Sequence, residues 1–134
     1  MANKSVEAFR KLTVDMQREV FNDAVAELNT QADLLVATMK GVAPRGKTGN
    51  LANSIGKAPG RKETTVVVKA GGATTTVPGH AGKPAYDYAR AVEFGVEHVP
   101  AHPFFFPTYR LMRAKMKSAM RRKITKTIKK YSAA

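Results

Sequence analysis

The chain has 134 residues, with 23 Lys plus Arg against 10 Asp plus Glu for a net charge of +13, 43% hydrophobic residues and no cysteine. A chain of this length fits one domain burying roughly 65 to 70% of its unfolded surface, enough for a small core without covalent or metal staples. Lack of Cys excludes disulfides, thiolate metal sites and cysteine nucleophiles. No run of eighteen apolar residues and no apolar leader is present, so a cytosolic origin without a membrane partner is expected.

The charge is unevenly placed. Residues 1–40 carry 5 basic and 6 acidic side chains, whereas residues 110–134 carry 10 basic and none acidic. A block of this kind reads either as an interaction tail for nucleic acid or an acidic protein surface, or as a solvated helix end.

Residues 5–40 place Phe9, Leu12, Met16, Val20, Ala24, Leu28, Ala32, Leu35 and Met39 at steps of three or four, which predicts a long amphipathic helix. Asn3 or Ser5 can cap its start and Gly41 can close it. Such a helix is roughly 50 Å long, more than a core of this size covers, so part of it is expected to bury against a partner.

From Gly41 to Ala85 the composition turns to Gly, Pro, Thr and Lys. Thr64 to Val68 are strongly β-prone, and Pro59-Gly60 supplies a turn, so residues 51–70 read as a turn and an antiparallel hairpin in which Ser54 to Ala58 pair with Glu63 to Ala70. Gly71-Gly72 offers either a second tight hairpin or the start of a loop; the reading takes 71–84 as a flexible loop. Pro84 and Gly95 bracket a short helix over 85–94. Pro100, Pro103 and Pro107 break regular helix around Phe104, Phe105 and Phe106, giving an extended segment pinned by its rings. Three adjacent residues in extended chain cannot face one way, so at least one ring should meet a second layer or another subunit. A basic helix follows over 108–131. The fold class expected is α+β: long N-terminal and C-terminal helices on a small antiparallel sheet, as a single domain over 1–134.

Residues Gly41 to Thr48 satisfy the phosphate-cradling pattern G-x-x-x-x-G-K-[ST]. The match is rejected, because the cradle requires a preceding buried strand and a following helix N-terminus, and here a long helix precedes it. His98 and His102 are four apart, but Pro100 between them removes the helical geometry that would make a metal pair with His80, Glu93 or Glu97. No serine stands in a nucleophile elbow. No cofactor is implied. Glu93, between Val92 and Phe94, requires a partner if it is buried: backbone N–H groups of a neighbouring turn, or an arginine across a subunit contact.

Ala43-Pro44 with Thr48-Gly49-Asn50-Leu51 and Ser54-Ile55, then Tyr88-Ala89 with Val92-Glu93-Phe94-Gly95, then His102-Pro103-Phe104-Phe105 with Pro107, resembles the tail-completion (head-tail joining, neck) family of long-tailed phages and prophages. The resemblance spans essentially the whole chain; Val96 departs from the Thr the family often carries, and the 71–84 loop has no matching length. It implies a non-enzymatic virion protein forming a ring, expected to be a hexamer, between the head connector and the tail. The implied partners are copies of itself, the head-tail connector and tail-tube or tail-terminator proteins, met in the host cytoplasm during assembly. It also implies that Pro44, Gly49, Leu51, Ile55, Tyr88, Glu93, Phe94, Gly95, Pro103, Phe104 and Pro107 determine fold and subunit contacts, to which the burial argument adds Phe105 and Phe106. Arg110, Arg113, Lys117, Arg121, Arg122, Lys126, Lys129 and Lys130 are expected to dock on acidic neighbours, with non-specific contact to genomic DNA. The competing reading is a small basic non-specific DNA-binding protein, although no helix-turn-helix or RNA-binding signature appears.

Overall fold

The computed structural model describes residues 3–132. Two long helices, α1 (Asn3–Val42) and α4 (Phe106–Ser132), flank a shorter middle section. That section holds α2 (Asn50–Ser54), β1 (Gly56–Pro59), β2 (Val66–Lys69), β3 (Thr76–Val77), β4 (Tyr86–Asp87) and α3 (Tyr88–Phe94). The architecture is α+β, as the sequence predicts. The small sheet is divided into two antiparallel pairs, β1 with β2 and β3 with β4.

α1 and α4 run antiparallel. Met112 and Met116 pack on the cluster holding Leu35 and Met39, Thr127 reaches Asp23, and Lys130 and Tyr131 reach Glu19. The core lies at one end of this pair, where Leu35, Met39, Ala43, Leu51, Ile55, Ala89 and Phe104 are buried together. At that end α1 presents the stripe read from the sequence, but toward its start Phe9 is 69% exposed. The pairing reaches Glu19 opposite Tyr131, one residue before the end of α4, so the turns of α1 before Asp15 have no α4 residue opposite them among the described residues.

Five features differ from expectation, each for a local reason. Gly41 does not close α1; the helix runs to Val42, with the Ala43 N–H still donating to Met39 O at 2.8 Å. The stop is set by Pro44, whose ring disfavours helical backbone at the residue before it. Thr64 and Thr65 lie in the turn of the first hairpin, where Gly60 N–H donates to Thr65 O at 2.9 Å, and Ser54 belongs to α2, not to a strand. Gly56 to Pro59 therefore pair with Lys69 to Val66.

The segment 71–84 is not all loop. A 3-10 turn at Ala73–Thr75 leads into β3, which pairs with β4, while no hairpin folds across Gly71-Gly72. Because Tyr86 and Asp87 are in that strand, the short helix begins at Tyr88 instead of residue 85. Finally, Phe106 and Pro107 belong to α4. Proline is tolerated in a first turn, where its missing N–H would have had no partner, so the third proline starts the helix instead of extending the segment before it.

Candidate assembly site

The most constrained polar site joins the end of α3 to the start of α4. Gly95 ends α3 with its N–H on Ala91 O and a backbone at φ 75 and ψ 166, a region only glycine occupies readily. The chain then reverses through Glu97-His98, where Val96 and Val99 exchange backbone hydrogen bonds of 3.0 and 2.9 Å. It returns along α3, His102 N–H donating to Val92 O at 2.8 Å. This return carries Pro103 and the three phenylalanines to the buried Glu93.

The Glu93 carboxylate accepts three backbone N–H groups. Oε2 takes Phe104 N–H at 2.8 Å and Phe105 N–H at 3.0 Å, and Oε1 takes Phe106 N–H at 2.9 Å. Helix starts leave N–H groups unsatisfied and carry partial positive charge, so a carboxylate there satisfies both needs. Of the two partners open to Glu93 from sequence, the backbone of a neighbouring turn is the one present. The rings diverge as they leave this point. Phe104 is 1% exposed in the core, Phe105 is half-buried and Phe106 points outward to stack on Phe94, centroids 5.9 Å apart. Phe94 is itself 62% exposed, leaving an aromatic pair on the surface.

A second carboxylate organises the other end of α3. Asp87 caps that helix through Ala89 N–H at 2.9 Å, accepts the Thr75 hydroxyl at 2.7 Å and takes Gly72 N–H at 2.8 Å. Partial burial pushes its carboxyl up, but the hydrogen bonds from Thr75, Ala89 and Gly72 outweigh that and hold it below the ordinary Asp value. A Cβ at Gly71, where φ is 94, would collide with the Asp87 carboxylate. Sequence reasoning missed Asp87; an Asp immediately before the Tyr88–Phe94 pattern is the signal that would have found it.

A third feature also went unread. Asp15, Glu19, Asp23 and Glu27 stand four apart on α1, and the middle two, Glu19 and Asp23, reach α4. Asp23 Oδ2 accepts the buried Thr127 hydroxyl at 2.6 Å, Lys130 Nζ lies 2.6 Å from Glu19 Oε1, and the Tyr131 hydroxyl donates to Glu19 Oε2. Hydrogen bonds from Lys130 and Tyr131 hold the Glu19 carboxyl below its usual range, and the bond to Glu19 pushes the Tyr131 phenol up to about 12. Lys130, expected to dock on a partner, is therefore paired within the chain. Arg110, Arg113, Lys117, Arg121, Arg122, Lys126 and Lys129 are exposed and make no ion pair among the described residues.

The remaining expected determinants divide by burial. Leu51 and Ile55 are core, Tyr88 packs against it, Pro44 follows the end of α1 and Gly49 is the N-cap of α2. The phosphate-loop match spans a helix end and an irregular turn, with no strand before it. His80, His98 and His102 are exposed, and no group of three potential ligands is gathered among the described residues. No described helix is long and apolar enough to cross a membrane.

Among the described residues no buried side-chain polar atom lacks a hydrogen-bond partner. The buried Glu93, Thr75, Thr108 and Thr127 tie the chain to itself, while large apolar groups stay at the surface. The exposed apolar groups, not a polar pocket, are therefore the surface this fold offers to a partner. Residues 3–95 match the family model described as "Bacteriophage HK97-gp10, putative tail-component", and the chain belongs to that family. It is a phage structural tail component, a virion protein and not an enzyme. Comparison with curated proteins and with solved structures finds no match.

Proposed function

We propose that this tail component completes the tail by forming a closed ring, of six subunits, at the junction with the head connector. The observation that carries the reading is the uncovered start of α1, where Val6, Phe9, Leu12 and Val14 are 47%, 69%, 41% and 51% exposed. Apolar side chains exposed on this stretch of α1, beyond the part that packs on α4, form a contact surface for a partner. The Phe94–Phe106 pair is a second such surface on the opposite part of the chain. Two different patches on one subunit suit a head-to-tail contact, which closes into a ring when the rotation permits. The neighbours above and below are the connector and a tail-tube or tail-terminator protein, reached from the host cytoplasm during assembly. Individual contacts can be modest, because a closed ring repeats them.

Averaged images of assembled particles test the proposal. A closed ring of density at the head-tail junction, accounted for by this chain and absent when its gene is deleted, is expected. A chain that is monomeric in the particle, or located elsewhere in the tail, overturns it.

A further inference from the structure

We propose that the furrow between α1, β2 and α4 seats an acidic amphipathic helix supplied by a different protein of the particle. The inference rests on the chain being an assembly component, not on the ring or on its position.

The furrow has a volume of about 600 Å³ and an apolar lining that includes Leu28, Leu35, Met39, Val68, Met116 and Met120. Along its α1 wall, Leu28 and Met39 are eleven residue steps apart, or about 16 Å of helix. That is three turns, the length over which a helical ligand presents apolar anchors at i, i+4 and i+7 to a groove. Two antiparallel helices with a furrow between them offer the place a third helix takes in helical packing. On the α4 side the half-buried Met116 and Met120 have unbranched side chains that adapt to an incoming surface, over a base formed by the buried Leu35 and Met39.

Charge decides which helix fits. Arg113, Lys117 and Arg121 line the α4 edge at steps of four, all exposed and without an ion pair among the described residues. Gln31 on the α1 edge is uncharged. An apolar floor with one cationic edge matches an apolar stripe flanked by Asp and Glu, and charge complementarity of this kind sets both register and encounter rate. A second copy is a poor occupant: each carries +13, and its acidic row at Asp15 to Glu27 is engaged with its own α4 through Glu19 and Asp23. A nucleic-acid backbone would place phosphates over an aliphatic floor and desolvate them without gain.

Photo-reactive p-benzoylphenylalanine placed at Met120, and separately at Tyr109, which also lines the furrow, in the full chain within assembled particles tests this. After irradiation, the cross-linked peptide is sequenced. Both positions should capture one segment of another virion protein, with several carboxylates beside an apolar helical repeat. Capture of a second copy, of DNA, or of nothing above background overturns the inference. Combined reversal of the exposed edge, Arg113→Glu with Lys117→Glu and Arg121→Glu, should cut the yield at least about tenfold. The same reversal at Lys115, Arg122 and Lys126, on other faces of α4, should leave it unchanged. Equal losses from both sets would reduce the edge to general attraction and also overturn the inference. Ring symmetry is read separately from images of the same particles, so failure of the ring leaves the cross-link result intact and the reverse also holds.

Discussion

Glu93 Oε2 lies 2.8 Å from the backbone nitrogen of Phe104, so a carboxylate at the end of one helix holds the chain eleven residues later at the start of another. This contact places Phe104 in the core and sends Phe106 out to Phe94. Glu93 thus ties the end of α3 to the start of α4 through three backbone N–H groups.

Replacing Glu93 by Ala removes the acceptor for three N–H groups near the core. We expect a loss of about 2 to 4 kcal/mol, from charged hydrogen bonds and a lost helix cap. Glu93→Gln, which keeps one acceptor oxygen, should lose about half as much. Urea unfolding of the purified chain measures both, and midpoints equal to wild type would show that the carboxylate holds nothing.

Phe9→Glu should behave in the opposite way. The ring is 69% exposed on α1, so the unfolding free energy should change by no more than about 0.5 kcal/mol. Particle assembly, measured as infectious titre on complementation, should fall sharply. Normal titres would remove the start of α1 from the contact surfaces.

Gly95→Ala places a Cβ 2.9 Å from Ala101 N at φ 75. The obstructing atom is backbone and cannot swing away. A cost of about 1 to 3 kcal/mol in unfolding free energy is expected from the strained conformation, and a melting temperature unchanged from wild type would contradict the geometry.

Stability should respond to pH from both sides, through Glu19 and Tyr131 at the far end of the helix pair and through Asp87 at the start of α3. Glu19 and Asp87 have folded-state values below their unfolded ones. Their contribution is present above the ordinary carboxylate range and is lost as pH falls through the lowered folded values. Tyr131 is raised to about 12, so its contribution is complete below about 10, the unfolded value, and disappears as pH climbs toward the folded one. An ultraviolet titration comparing wild type, Tyr131→Phe and Glu19→Gln isolates this phenol. In Glu19→Gln its ionisation should move down toward 10; an unmoved transition would deny the Tyr131–Glu19 bond.

The two long helices were legible because each carries many turns of one period, and so was the hairpin around Val66 to Val68. The exact ends were not, since Pro44 and Pro107 act through backbone geometry that residue type alone does not place. Glu93 could be singled out as a carboxylate requiring a partner, but choosing that partner required knowing that the chain turns back at Glu97-His98. Asp87 and the row from Asp15 to Glu27 carried readable signals, an N-cap position and a four-residue spacing, which the net charge of the first forty residues concealed. The division of the basic block followed from the same gap: Lys130 can be separated from Arg113, Lys117 and Arg121 only once α4 is laid against α1.

The unpaired start of α1 also fixes how this protein can change in length. Each residue added to a helix advances it by about 1.5 Å and turns it by about 100°, so an insertion between Phe9 and Asp15 moves the apolar side chains ahead of it in both reach and direction. Seven added residues return those side chains to within about 20° of their original bearing while extending the arm by about 10 Å; three or four added residues advance it by one turn with a larger error in bearing. The body built from residues 19–132 would be untouched by either. Reach and aim at this end of the molecule are therefore locked together by helix pitch.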